Sequence, residues 1–307
     1  MSSPRPSRSE VRAQAHAGAI SRAELRAMGW DRDAVAREVR AERWAVRGRQ
    51  TVAVHTGPLD REAIWWSAIW EVGHDIAALD GVTALQAAGL TGFDDDRVHV
   101  SVVHTARVRP PRGTSLHKVV RRVDGELAVG DLARTVPAVA SVRAAHWATS
   151  SRQAALLLVM PVQQRLVTGR QLLEAVQLAP GRNRRAFIRT VAADIADGAQ
   201  SLGELDFAAL CRARGLPAPT RQAVRRGHRG RVYLDVRWDH LGLVVEIDGA
   251  QHAWGLASTD DQFRQNSLVL SGDRVLRMTL LGLRLQPQEF MDQVCAAHDL
   301  LSRRRAS

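Results

Sequence analysis

Lysine is almost missing from this chain: among its 43 basic residues only Lys118 is not arginine. Cysteine is as scarce. Cys211 and Cys295 stand alone without CxxC spacing, which excludes a zinc-finger site and a disulfide framework and predicts two buried thiols. No apolar run approaches the roughly 18 residues of a membrane span, and the opening MSSPRPSRSEVRAQ lacks the apolar stretch of a signal peptide. No phosphate loop or dinucleotide glycine pattern occurs, which argues against a nucleotide-dependent small-molecule enzyme. A cytoplasmic protein without membrane contact is expected.

What is present is length and positive charge. At 307 residues the chain exceeds one typical domain, so two or three units are expected. The 43 basic residues against 32 acidic ones leave a net charge of +11, so a polyanion is the natural partner to test. A GC-rich genome is the alternative origin of so heavy an arginine usage. The pattern divides into residues 1–58, 59–197 and 198–307, in an α+β or mixed α/β class.

In the first segment, SRAELRAMGWDRDAVAREVRAERW reads as two short helices with a turn at Met28-Gly29-Trp30. Ser21 and Glu24 form a capping box, Asp31 caps the second helix, and Ala34, Val35 and Val39 recur at helical spacing. WAVRGRQTVAVHTG then alternates like a small β-wing around Gly48, so a winged helix-turn-helix is expected. Arg32, Arg37 and Arg40 on the second helix face either phosphates or water. A protein-docking role for the helical pair stays open.

The middle segment is less specific. Residues 64–90 read as helix, DRVHVSVVHTARVR as strand, and RQAALLLVMPVQQRLVTGRQLLEAV as helix interrupted at Pro161. Trp65, Trp66 and Trp70 fit a core better than a base-stacking platform. His104 and His117 lack partners at metal-ligand spacing and receive no role. GRNRRAFIRT supplies Arg182, Arg184, Arg185 and Arg189, which line a phosphate path or solvate a helix start.

The last segment carries the chemistry. RVYLDVRW and LVVEID flank the turn Asp239-His240-Leu241-Gly242, and a hairpin centred there sets Asp235 directly opposite Glu246. Asp248 shares that face. Opposed like charges destabilise a sheet, so a cluster of acids on a largely apolar strand calls for positive charge. Mg²⁺ or Mn²⁺, held by Asp235, Glu246 and the carbonyl of Ile247, meets that need. The alternative is pairing with arginines such as Arg237 or Arg277.

RVYLDVRWDHLGLVVEIDGAQH resembles the PD-(D/E)XK nuclease superfamily, in its branch similar to very-short-patch-repair endonucleases, over about Gln200 to Asp292. The resemblance implies a restriction-endonuclease-like α/β/α domain in which Asp235 and Glu246 bind the metal. Asp248 occupies the position often held by lysine, a replacement known in that branch. An acid on the preceding helix is implied at Glu204, and Gln251 and His252 follow the Gly249 turn, where His252 is placed as proton shuttle or leaving-group acid. A helix capped by Ser258 and Asp261 and a strand DRVLRMTLLGL are expected next, with Arg264 and Arg277 available for phosphate or carboxylate.

The front half, with ISRAELRAMGW, DRDAVAREVRAERW and LVTGRQLLEAV, is similar to AbiEi-like antitoxins, whose winged helix is often fused to such a tail. Two functions are therefore expected in competition. The first is a metal-dependent DNA endonuclease or nickase with an N-terminal DNA-binding module. The second is a non-catalytic, antitoxin-type regulator, with a cognate toxin or a second copy of itself as partner.

Overall fold

The computed structural model describes residues 5–179, 181–197, 205, 207–226, 232–249 and 274–306. They belong to two compact units, Met1–Trp147 with Gln163–Val167, and Ala148–Val162 with Thr168–Ser307. No helix among the described residues is long and apolar enough to cross a membrane. The class is mixed, with helices around three small sheets.

The first unit opens with α1 (Arg8–Gln14), β1 (Ala19–Ser21), α2 (Arg22–Ala27), α3 (Arg32–Arg40), β2 (Ala45–Val46) and β3 (Thr51–Ala53). Local chemistry sets the helix starts. Ser21 and Glu24 form the expected capping box on α2, and Asp31 accepts from the Ala34 amide at 2.7 Å to start α3. Gly29, at φ 79, makes the turn between them. The strands pair in the order β1-β3-β2, both antiparallel, so the hairpin around Gly48 is present. Val11, Ile20, Leu25, Trp30, Val35, Trp44 and Val52 close one small core beneath them.

The expected long helix over residues 64–90 is in fact broken. Asp60 caps α4 (Arg61–Val72), Gly73 ends it at φ 137, β4 (Ala78–Leu79) follows, and Asp80 caps α5 (Gly81–Ala87). Trp66 and Trp70 are buried as expected, and Trp65 is half-buried. β5 (Val98–Val103) pairs antiparallel with β4 and parallel with β6 (Thr114–Val119). α6 (Pro137–Trp147) completes this unit's main elements.

In the second unit, α7 (Ser151–Gln163) runs through Pro161 rather than stopping there. Only the last turn lies beyond the proline, so little of the helical ladder is lost. Thr168 and Gln171 cap α8 (Gly169–Leu178), and α9 (Arg185–Ala196) follows. α10 (Phe207–Ala213) ends before Gly215, at φ 70.

Three strands then form an antiparallel meander: β7 (Arg221–Arg226), β8 (Val232–Trp238) and β9 (Leu243–Asp248). β10 (Arg274–Thr279) joins parallel to β9, giving the order β10-β9-β8-β7. The strand expected over DRVLRMTLLGL is shorter than its sequence suggests. Thr279 ends it and accepts from the Gly282 amide at 2.9 Å, converting LLGL into α11 (Leu280–Leu285).

α12 (Pro287–Ala306) supplies Phe290, Met291 and Val294 to a core with Phe207, Leu234, Trp238, Val245 and Ile247. Each such aliphatic or aromatic side chain stabilises the sheet by about 1.5–3 kcal/mol when fully buried. Cys211 is buried in this core, whereas Cys295 is only half-buried, a departure from two buried thiols.

Candidate functional site

The alternation of β8 and β9 sends Leu234, Val236, Trp238, Leu243, Val245 and Ile247 into the core and the intervening residues to the other face. Asp235 pairs in register with Glu246, and on the far side of Glu246 stands Arg277 of β10. One row across the sheet therefore reads Ala223, Asp235, Glu246, Arg277. The next reads Arg225, Tyr233, Asp248, Thr279, which places Asp248 on the same face as the two opposed acids.

Neither opposed acid is an ordinary solvated residue. Glu246 is 1% exposed and Asp235 6%. Charges this buried require partners. Arg277 Nε donates to Glu246 Oε2 at 3.0 Å, and Arg237 Nε donates to Asp235 at 3.1 and 3.3 Å. Arg225 Nε lies 3.8 Å from Asp235 Oδ2.

The acids are thus neutralised by guanidinium groups, which is the alternative that the sequence left open. The need for positive charge does not by itself require a metal ion. Among the described residues no group of three or more His, Cys, Asp or Glu side chains is arranged to hold a metal. The donor chemistry still suits a hard cation, because Mg²⁺ accepts one or two carboxylates and completes its shell with water.

Glu204, Gln251, His252 and Arg264 lie outside the described residues, as do Ser258 and Asp261. Arg225 was missed in the sequence. RQAVRR sets two apolar residues, Ala223 and Val224, between charged or polar ends and has no clean alternation, so the strand and the face of Arg225 left little signal in the sequence.

In the first unit, Arg32, Arg37 and Arg40 are all exposed, while Ala34, Val35 and Glu38 of the same helix are buried. Glu38 holds the helix to its surroundings through Arg43 Nε at 2.5 Å and Arg8 at 3.7 Å. In the second unit, Arg182 and Arg185 are exposed. Arg184 is differently used: it adopts the left-handed conformation at φ 53 and donates to the carbonyls of Ala148 and Thr149 at 2.8 and 3.0 Å.

Two polar clusters went unread in the sequence because residues far apart in the chain meet only in the fold, one through helix and loop packing and the other through the register of β5 and β6. Arg143 donates to Asp80 at 2.8 Å and to Glu126 at 2.9 Å, and Arg122 adds a bond to Glu126 at 3.0 Å. Burial pushes the Glu126 carboxyl up, but these arginines and the Val123 amide outweigh it and hold its pKa low. His99 Nε2 lies 3.1 Å from Asp95, and His99 Nδ1 lies 2.9 Å from His117 Nε2. His117 stacks on Trp147 at 3.5 Å, and burial, aided by His99 and Arg97, pushes its pKa down to about 3.

No family model matches the chain, and no curated protein matches it. Among solved structures, it is similar to the RV2827C protein from Mycobacterium tuberculosis, with 17% identity over 60% of this chain and 74% of that one and a TM-score of 0.41. So loose a likeness carries no argument about function.

Proposed function

We propose that the chain is a DNA-binding protein whose C-terminal sheet hydrolyses phosphodiester bonds with Mg²⁺ or Mn²⁺, acting as an endonuclease or nickase. The observation that carries this reading is the register of Asp235 opposite Glu246, two buried carboxylates on one face of adjacent strands. A three-strand meander followed by a parallel fourth strand also accords with the nuclease-like fold that the sequence resembles.

Asp235 and Glu246, with the carbonyl of Ile247, are the residues that would hold the cation. Bound there, it would supply an activated water and charge to balance the phosphate in the transition state. The chain's own residues prepare the site. Arg237 and Arg277 fix the carboxylate orientations, and a guanidinium suits phosphate oxygens as well as carboxylates. Asp248 orients water on the same face. Glu204, Gln251 and His252 belong to the proposed catalytic set, His252 as proton shuttle or leaving-group acid, and Arg264 is a proposed DNA contact.

The N-terminal order of helices and strands, with a β1-β3-β2 sheet, supports a winged helix-turn-helix that lays α3 in the major groove. Arg32, Arg37 and Arg40 are then its phosphate contacts, with Arg182, Arg184 and Arg185 a secondary basic cluster whose Arg184 is committed to main-chain carbonyls. A cytoplasmic location accords with a DNA substrate.

One observation favours the second reading, an antitoxin-type regulator acting with a toxin or a second copy of itself. Arginines already neutralise Asp235 and Glu246, so the sheet does not depend on a cation to fold. Incubation of supercoiled plasmid with the protein and Mg²⁺ or Mn²⁺, beside EDTA and Asp235→Ala controls, separates the two. Metal-dependent nicking lost in Asp235→Ala supports the enzyme; DNA binding without nicking supports the regulator.

A further inference from the structure

The loop Arg47-Gly48-Arg49-Gln50, between β2 and β3, is a four-residue tip that ought to be loose, yet its backbone is tied at every residue. The amides of Arg47 and Gly48 donate to the Thr51 carbonyl at 3.1 and 3.2 Å. The amides of Arg49 and Gln50 donate to the two oxygens of the Glu71 carboxylate at 3.0 and 2.6 Å. The Thr51 hydroxyl donates to the same carboxylate at 2.9 Å. From the opposite side, Arg22 gives its amide to the Gln50 carbonyl at 2.8 Å and its Nε to the Arg49 carbonyl at 3.1 Å.

Glu71 comes from α4, outside the hairpin it grips, and needs a bare backbone to reach it. A Cβ on Gly48 would overlap the Glu71 carboxylate. Arg47 folds back onto the carbonyls of Thr56 and Gly57, which removes its charge from the tip. What remains at the tip is Arg49. It is exposed, and among the described residues its guanidinium makes no hydrogen bond or ion pair. An arginine carried on a backbone fixed from two sides loses less freedom on meeting a phosphate than one on a mobile loop.

We propose that Glu71 is a positioning residue for DNA binding, which locks the 47–50 tip so that Arg49 meets the sugar–phosphate backbone of duplex DNA. This rests on the DNA-binding half of the proposed function and is independent of the nuclease half. The sign of one substitution separates positioning from simple charge. Removing an acid near a polyanion strengthens binding by Coulomb's law alone, whereas unlocking the tip weakens it. In Glu71→Gln one oxygen becomes an NH₂ that faces a backbone donor, so half the lock is lost.

The test is the affinity of a mixed-sequence duplex of roughly 30 base pairs, measured by fluorescence anisotropy against salt concentration. The full-length protein and the variants Arg49→Ala, Glu71→Gln, Gly48→Ala and Arg49→Ala/Glu71→Gln are compared, with Arg32→Ala/Arg40→Ala as reference. Arg49→Ala is expected to weaken binding about fivefold and lower the log–log salt slope by about one. Glu71→Gln and Gly48→Ala should weaken it comparably, the latter with no change of charge. In the Arg49→Ala background Glu71→Gln should weaken binding no further.

Tighter binding by Glu71→Gln, or equal loss in both backgrounds, would overturn the proposal. If Glu71→Gln fails to fold, Gly48→Ala carries the same comparison. Loss in the Arg32→Ala/Arg40→Ala reference but none in Arg49→Ala would sink the inference alone. If the wild type does not bind duplex in low salt, the DNA-binding reading falls and the inference with it.

Discussion

Glu246 and Arg277 stand side by side on parallel strands, Nε to Oε2 at 3.0 Å, with the carboxylate 1% exposed. The pair settles how a charged residue survives on an otherwise apolar strand. It also makes Arg277 one of the partners that compensate Glu246. Replacing Arg277 with Met leaves a buried carboxylate without that partner, and a loss of about 3–5 kcal/mol in denaturant unfolding is expected. Glu246→Gln/Arg277→Met should recover much of it. A single variant as stable as the wild type would mean that Glu246 draws its compensation elsewhere.

A second expectation concerns Arg143, which bridges Asp80 and Glu126 in the first unit. Asp80 has no exposed surface, so Arg143→Met should destabilise by a similar 3–5 kcal/mol and affect the Met1–Trp147 unit first. Hydrogen exchange resolves which unit opens. Uniform loss of protection in both units would contradict it.

The legibility of these features followed sequence distance. The Asp235–Glu246 register was readable because a four-residue turn fixes a hairpin, and the capping of α2 and α3 was readable because it is local. The sequence marks both Arg237 and Arg277 as candidate partners, but not which acid each serves. Arg237 lies two residues from Asp235 on the same face, but Arg277 arrives 31 residues later on a parallel strand whose register no turn specifies. The His99–His117 pair is hidden for the same reason, on parallel β5 and β6. The single long helix expected over residues 64–90 failed at Gly73, where a conformation open to glycine ended α4 before the apolar pattern did.

His117 gives a pH dependence with a definite sign. Its folded pKa is pushed down to about 3, below the ordinary 6.5, so between these values the unfolded chain binds the extra proton. The contribution to stability is fully present above pH 6.5 and is lost as pH falls toward 3. In urea titrations across that window, His117→Gln should lose stability less steeply than the wild type. Parallel pH profiles would show that the ring titrates normally.

The helix α3 arginines have a salt signature. Arg32→Ala and Arg40→Ala should each weaken duplex binding and reduce the log–log salt slope by about one for every phosphate that is no longer neutralised. Both side chains are exposed, so melting temperatures should hardly change. An unaltered slope would make the helical pair a docking or structural unit.

The nuclease reading is tested most directly on supercoiled plasmid, with wild type, Asp235→Asn and Glu246→Gln compared in millimolar Mg²⁺, in Mn²⁺ and in EDTA. The account predicts nicked or linear product from the wild type with either metal, none in EDTA, and loss in both variants while duplex binding persists. Plasmid left supercoiled by a folded, DNA-binding wild type in both metals would contradict it.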